Sequence, residues 1–271
     1  MNDWRQLERR TCGAWFAELH RQLRRGELTL GRYNYSAALA LGVQVAINSG
    51  VESIAAVEMG VAGGDGLLAL CSAASHFREA LGFDVRVYGF DNATGLPPLV
   101  GHRDHPELWR QGEFLMRDEA SLRAKLPDFA ELFIGDVAET IDAFRAVLVR
   151  HPLGFVAIDV DLYSSTTSCF RMLEWEAECY LPAVPFYFDD MVDYITYNDW
   201  CGEQLAVAEF NAAHELRKFQ RQPDSNISNL SILNVLDHPL RTGARRPRFP
   251  LRIGTVSSRP PRMRTGDWRG T

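Results

Sequence analysis

The stretch Ile54-Ala-Ala-Val-Glu-Met-Gly-Val-Ala-Gly-Gly-Asp-Gly-Leu-Leu-Ala-Leu70 decides how the chain folds. It opens with a short aliphatic run ending in Glu58, the pattern of a parallel strand buried on both faces. Gly60, Gly63, Gly64 and Gly66 follow, and glycine accepts the backbone angles of a tight turn that other residues resist. Leu67, Leu68, Leu70 and Cys71 then recur at helical spacing. Strand, glycine loop and helix in that order form the nucleotide-binding end of a doubly wound sheet. The expected class is α/β, Rossmann-like, with a mostly parallel sheet.

Charge in the loop narrows the ligand. A phosphate-bearing cofactor wants bare backbone N–H groups at the positive end of a helix. Here the loop carries Glu58 and Asp65, and strict G-x-G-x-x-G spacing is absent. Two carboxylates would repel a pyrophosphate but suit a cationic cofactor such as S-adenosylmethionine, which bears a sulfonium and an amino group. The alternative is a glycine-rich turn that binds nothing.

Working outward, residues 1–50 read as helical. Trp4, Leu7, Cys12, Phe16, Leu19 and Leu23 form an apolar stripe that Gly26 stops, and a second helix covers Tyr35–Asn48. They form either a plain helical layer on the sheet or a functional one, capping the cofactor site or joining two copies as a homo-oligomer. Downstream, Val85–Phe90 alternates like a strand and ends at Asp91. An acid at that place in a doubly wound fold holds a ribose diol. Residues 101–114 form a long loop, of a length usually reserved for lids or binding loops; its His102 and His105 are expected to be solvated. Glu131–Ile134 is a third strand leading into Gly135 and Asp136. Asp136 either accepts from the adenine amino group or is a plain turn residue.

The strongest constellation lies further on. Phe155–Ile158 runs straight into Asp159 and Asp161, and Phe186–Phe188 delivers Asp189 and Asp190. Ligands of open α/β sheets bind at that edge. Three or four clustered carboxylates repel one another unless a cation neutralises them. All-oxygen ligation favours Mg²⁺, Ca²⁺ or Mn²⁺ over zinc. The plain alternative is four loop and cap residues pointing into water. Between these strands, a helix capped by Ser164, Ser165 or Thr166 is expected to run to about Leu181 and to be ended by Pro182 and Pro185. Trp200–Leu216 reads as a helix turning Leu205, Val207, Ala208 and Phe210 inward. Lys218–Gln222 and Leu230–Leu236 read as an antiparallel edge pair.

Composition excludes several classes. The chain of 271 residues, 46% hydrophobic, can hold one large domain with decorations. A formal net charge of -6 argues against general nucleic-acid binding. The arginines concentrate in the tail, Arg241 to Arg269, leaving a distinctly acidic body. Five cysteines without C-x-x-C spacing suggest core thiols in a reducing, cytoplasmic compartment. No signal peptide or membrane span is visible. The division expected is a helical cap at 1–50, a catalytic domain at 51–240 and an irregular Arg/Pro-rich tail at 241–271.

Taken together, Val57-Glu-Met-Gly-Val61, Gly89-Phe-Asp-Asn-Ala-Thr-Gly-Leu-Pro97, Ile158-Asp-Val-Asp-Leu-Tyr-Ser-Ser-Thr166 and Phe188-Asp-Asp190 resemble the macrocin O-methyltransferase (TylF-like) family. Trp109, Gly112 and Phe114 add to the likeness, which spans roughly residues 54–215. The resemblance implies the class I methyltransferase fold and S-adenosylmethionine-dependent, Mg²⁺-assisted methyl transfer to a hydroxyl of a small molecule, such as a sugar or natural-product scaffold. It implies a metal on Asp159, Asp189 and Asp190, with Asp159 also the base. It implies cofactor contacts from Glu58, Gly60, Gly63, Gly64, Asp65, Asp91, Gly135 and Asp136. Pro182-Ala-Val-Pro185 departs from the family's Gly-Gly turn before the fifth strand. Two other functions share parts of the pattern. A nicotinamide-dependent oxidoreductase would use Asp91 but leave the aspartate cluster idle, and a catalytically silent binding or scaffold protein would use neither.

Overall fold

Five parallel strands end at one edge of a single sheet, and each is a short apolar run closed by a turn residue. The computed structural model describes residues 3–191, 197–223, 225–245 and 248. At its centre is β1 (Ser53–Met59), flanked by β2 (Asp84–Asp91) and then β3 (Ala130–Ile134) on one side. On the other side lie β4 (Leu153–Ile158) and β5 (Ala183–Phe188). An antiparallel pair, β6 (Arg217–Arg221) and β7 (Leu230–Val235), completes the order β3-β2-β1-β4-β5-β7-β6. Register places Met59 beside both Phe90 and Ile158, Asp91 beside Ile134, and Ile158 beside Phe188. Gly60, Asp91, Gly135, Asp159 and Asp189 therefore leave the sheet side by side. β4 and β5 are buried along their whole length, as strands covered on both faces must be.

The helices cover both faces. The N-terminal stripe is as expected: Trp4, Leu7, Cys12, Phe16, Leu19 and Leu23 are all buried, and α1 (Arg9–Arg25) stops at Gly26. Behind it, α2 (Tyr33–Ser49) is buried on nearly every side between α1 and strands β4 and β5. Small residues make that closeness possible. A methyl group at Gly42 would sit 2.1 Å from the carbonyl oxygen of Gly154 in β4. After the glycine loop, α3 (Asp65–Leu81) packs against β2. Two more helices, α4 (Glu119–Lys125) and α5 (Val137–Leu148), flank β3 in the chain.

Two helices differ from their patterns. The one after β4 was expected to reach Leu181, but α6 (Tyr163–Cys169) is seven residues long, and residues 170–173 tighten into a 3₁₀ turn. The buried Tyr180 hydroxyl explains the stop. It donates to Met172 O (2.7 Å) and accepts from Trp175 N (2.9 Å), satisfying backbone groups that a continuing helix would have paired. Pro182 and Pro185 do not end a helix; Pro182 precedes β5 and Pro185 lies within it, before the part paired with β4. The cap of α6 also differs, since no side chain of Ser164, Ser165 or Thr166 closes it. In α7 (Gly202–Ala213) the buried face is Glu203, Ala206, Val207 and Phe210, while Ala208 is exposed and Leu205 half-buried. A short α8 (Pro239–Thr242) follows β7. Most of the basic tail, residues 249–271, lies outside the described residues.

Candidate active site

A cavity of about 650 Å³ opens along the carboxyl edge of the sheet. That is the size of a small-molecule site. Its wall includes Gly60, Asp91, Gly135, Asp136, Asp159, Asp189 and Asp190, seven of the eleven residues singled out in the sequence. Asp161, Ser164 and Tyr197 join them from the β4 and β5 loops, and Leu96, Trp109 and Phe114 from the loop after β2.

Glu58, Gly63, Gly64 and Asp65 do not line the cavity. Glu58 is 1% exposed and turned under the first turn of α3 against Gly66, where its Oε1 accepts from the Tyr35 hydroxyl at 2.9 Å. Burial and then the nearby Asp159 push its carboxyl well above the ordinary range. Gly64 packs against Leu122, and Gly63 and Asp65 are exposed. Gly60 is different. It has a φ of +85°, and a methyl group there would lie 1.7 Å from the Asp159 carbonyl oxygen. The residue lets the β1 loop abut the end of β4.

On the β2–β3 side, carboxylates hold backbone. Asp91 Oδ2 accepts from Val61 N and Ala62 N, both at 2.8 Å, and Oδ1 accepts from Ala93 N at 2.6 Å. It thus fixes the glycine loop while facing the cavity. Asp136 caps α5, its Oδ1 accepting from Ala138 N at 2.8 Å.

On the β4–β5 side, carboxylates face one another. Burial and then Asp189 raise the Asp159 carboxyl to about 7, with Arg32 pulling the other way. Burial, Asp190 and Asp159 raise Asp161, which sits at a φ of +59°. Asp190 is raised by burial, partly offset by the Tyr197 hydroxyl donating to Oδ1 at 2.9 Å. Tyr187 donates to Asp189 Oδ1 at 2.6 Å. Behind them Glu203 accepts from Asp190 N at 3.0 Å. Asp190 Oδ2 and Glu203 Oε1 are buried without a hydrogen-bond partner.

Among the described residues, no group of three or more ligating side chains is drawn together tightly enough to hold a metal as placed. The donor set nevertheless has the chemistry of a hard, oxygen-loving cation's ligands: several carboxylates, raised by burial and then by one another, with a partnerless oxygen among them. A bound cation would satisfy all three features at once.

Sequence reasoning missed several participants. Arg32 and Tyr35 come from the N-terminal layer. Asp104 and His105 come from the long loop after β2, whose histidines are expected from the sequence to be solvated. His102 is exposed, but His105 is 1% exposed, packed edge-on against Tyr197 and hydrogen-bonded to Glu107. Asp104 is fully buried. It accepts from Ser164 N (2.8 Å), Ser164 Oγ (2.9 Å) and Val100 N (2.6 Å), supplying from the loop the cap that α6 lacks. A buried acid in a segment without period had one available signal, the helix start at Tyr163 without a capping residue of its own.

The same architecture occurs in solved methyltransferases. The chain is similar to the calicheamicin methyltransferase CalS11, with 19% identity over 84% of this chain and 80% of that one and a TM-score of 0.50. It is similar to the O-methyltransferase NovP, with 18% identity, coverage of 74% and 77%, and a TM-score of 0.52. The likeness is one of fold, the class I methyltransferase fold expected from the sequence. No protein-family model matches the chain, and no curated protein does. Among the described residues no helix is long and apolar enough to cross a membrane, and all five cysteines are free thiols.

Proposed function

We propose that this chain is an S-adenosylmethionine-dependent O-methyltransferase acting on a hydroxyl of a small molecule, a sugar or natural-product scaffold. One observation carries the reading: a single cavity joins the glycine loop, Asp91 and the Gly135–Asp136 turn to Asp159, Asp189 and Asp190. The shared fold of two methyltransferases supports it. The wall suits a cationic cofactor, since six aspartates line it against one arginine.

S-adenosylmethionine, when bound, supplies an electrophilic methyl carbon on sulfur, and a neutral thioether remains after transfer. Mg²⁺ or a similar cation, for which Asp159, Asp189 and Asp190 would be the ligands, lowers the pKa of an acceptor hydroxyl when bound. The remaining roles belong to the chain. Asp91 tethers the glycine loop and faces the ribose position at the end of β2. Asp159 takes the proton from the acceptor hydroxyl. Leu96, Trp109 and Phe114 cover the reacting groups from water. Positioning accounts for most of the acceleration.

Titration calorimetry tests the reading. Saturable binding of S-adenosylhomocysteine with no response to NAD is expected. Dinucleotide binding without any S-adenosylmethionine binding would overturn it.

A further inference from the structure

Arg32 brings the only positively charged side chain to the cavity wall among the described residues. The residue immediately precedes α2, where its carbonyl accepts from Ser36 N and Ser36 Oγ, both at 3.1 Å. Its guanidinium carbon lies 5.2 Å from the ring centroid of the fully buried Tyr35. Nη1 is 3.3 Å from the Tyr35 hydroxyl and 3.4 Å from Asp159 Oδ2. Both contacts are long beside the roughly 2.7–2.9 Å of a committed charge-assisted hydrogen bond. Nε and Nη2 make no hydrogen bond among the described residues, and the side chain is 46% exposed. The group is thus stacked in place on a rigid ring while most of its donors remain open.

The chemistry of the wall says what those donors would take. The rest of the charged wall is acidic, Asp91, Asp136, Asp159, Asp161, Asp189 and Asp190, so among the described residues Arg32 is the one lining group that attracts an anion. On the methyltransferase reading, on which this inference rests, the cofactor carries one anionic group, its amino-acid carboxylate, at the end remote from adenine. Strand order sets the direction. With the ribose at Asp91 on β2, the methionine arm crosses the end of β1 toward β4, where Gly60 abuts Asp159 and Arg32 overhangs it. We propose that Arg32 is the binding residue for the α-carboxylate of S-adenosylmethionine. A planar guanidinium held by stacking presents two parallel N–H donors to a carboxylate, a geometry lysine does not reproduce. The N-terminal helices thereby become part of cofactor recognition.

Calorimetry with two ligands tests this without any methyl acceptor. S-adenosylhomocysteine has the carboxylate; S-adenosyl-3-thiopropylamine has the same adenosine, thioether and amine but lacks it. The wild-type protein should bind the first about tenfold or more tightly than the second, the scale of a hydrogen-bonded charge pair. Arg32→Gln should lose that preference, weakening S-adenosylhomocysteine about tenfold and leaving the decarboxylated ligand within about twofold. Arg32→Lys should recover only part of the loss. The wild-type comparison stands even if a variant folds poorly. Equal affinity of the wild type for both ligands overturns the inference and leaves the methyltransferase reading intact. An equal loss of both ligands in Arg32→Gln does the same. Binding of neither by the wild type rejects that reading and the inference with it.

Discussion

Aspartates leave both halves of the same sheet edge, and the two halves use them in opposite ways. Beside β2 and β3, Asp91 and Asp136 are held by backbone N–H groups: three donors reach Asp91 and one reaches Asp136. Beside β4 and β5, Asp159, Asp161 and Asp190 have acids as their main electrostatic neighbours, and burial and repulsion raise all three. In the first half these bonds tie the acids to the backbone, although both still line the cavity. The second half is unbalanced, and unbalanced charge that costs stability points to function. On the proposed function, the same residue type builds the site on one side and would supply its chemistry on the other.

The largest expected effect tests the second half. Asp159→Asn should lower methyl transfer about a thousandfold, the scale of losing a general base. Its melting temperature should stay level or rise, because neutralising one member of a repelling cluster relieves strain. Asp189→Asn should likewise lower activity without loss of stability. Unlike Asp159→Asn, it should be partly rescued by raised Mg²⁺. A fall of many degrees in the melting temperature of either variant would place these acids in the scaffold class and erase the contrast.

Asp91→Ala attacks the first half. Removing the acceptor strands the N–H groups of Val61, Ala62 and Ala93, and a loss of about 3 kcal/mol in urea unfolding is expected. Stability within experimental error of wild type would show that Asp91 is as free as the acids across the edge.

Acidity gives a third and smaller separation. The Asp159 carboxyl rises from 3.8 to about 7 on folding. Between those values the folded chain holds more protons than the unfolded one, so stability falls as pH rises through the window. At about 1.4 kcal/mol per pH unit, discounted for water reaching a side chain that is 26% exposed, the Asp159 share of the change from pH 5 to pH 7, read as wild type minus Asp159→Asn, should be a fall of about 2 kcal/mol in EDTA. His20 in α1 works against this over an overlapping window. Burial pushes it down to about 4, so stability is also lost as pH falls below its ordinary 6.5. If the proposed metal site is right, a divalent cation should flatten the Asp159 limb, because it would bind the ionised acids of the native state. A wild-type-minus-Asp159→Asn difference that rises from pH 5 to pH 7 without metal would contradict the charge imbalance.

The legible parts of this site were those whose physics is local. A run of apolar residues followed by Gly60, Asp91, Asp159 or Asp189 specifies a buried strand and its end, and parallel pairing then brings the ends together. What stayed hidden depends on contacts distant in sequence. Arg32 reaches Asp159 across 127 positions, Asp104 caps α6 across 60, and Tyr180 ends the segment after α6 by a hydroxyl that no periodicity reveals. Glu58 shows the converse: its place at the end of β1 was legible, but Tyr35 and the approach of α3 turn it from the cavity. His105 looked solvated because its segment lacks an apolar period; it is buried because Asp104 pins the loop to α6.

The smallest effect separates two roles that the sequence left open for one residue. Asp136 caps α5 through Ala138 N, yet it also lines the cavity, where an adenine amino group could meet its remaining oxygen. Removing the cap by Asp136→Ala should cost about 1 kcal/mol. Asp136→Ser keeps a side-chain oxygen for the Ala138 N–H and should restore most of that stability, but it is too short to reach a second partner. If the cap is the whole role, S-adenosylhomocysteine affinity in Asp136→Ser should equal wild type within about twofold, and Asp136 belongs with the scaffold acids. If affinity falls about tenfold while unfolding is unchanged, one oxygen serves the helix and the other the ligand. The boundary between the two halves of the edge would then run through a single carboxylate.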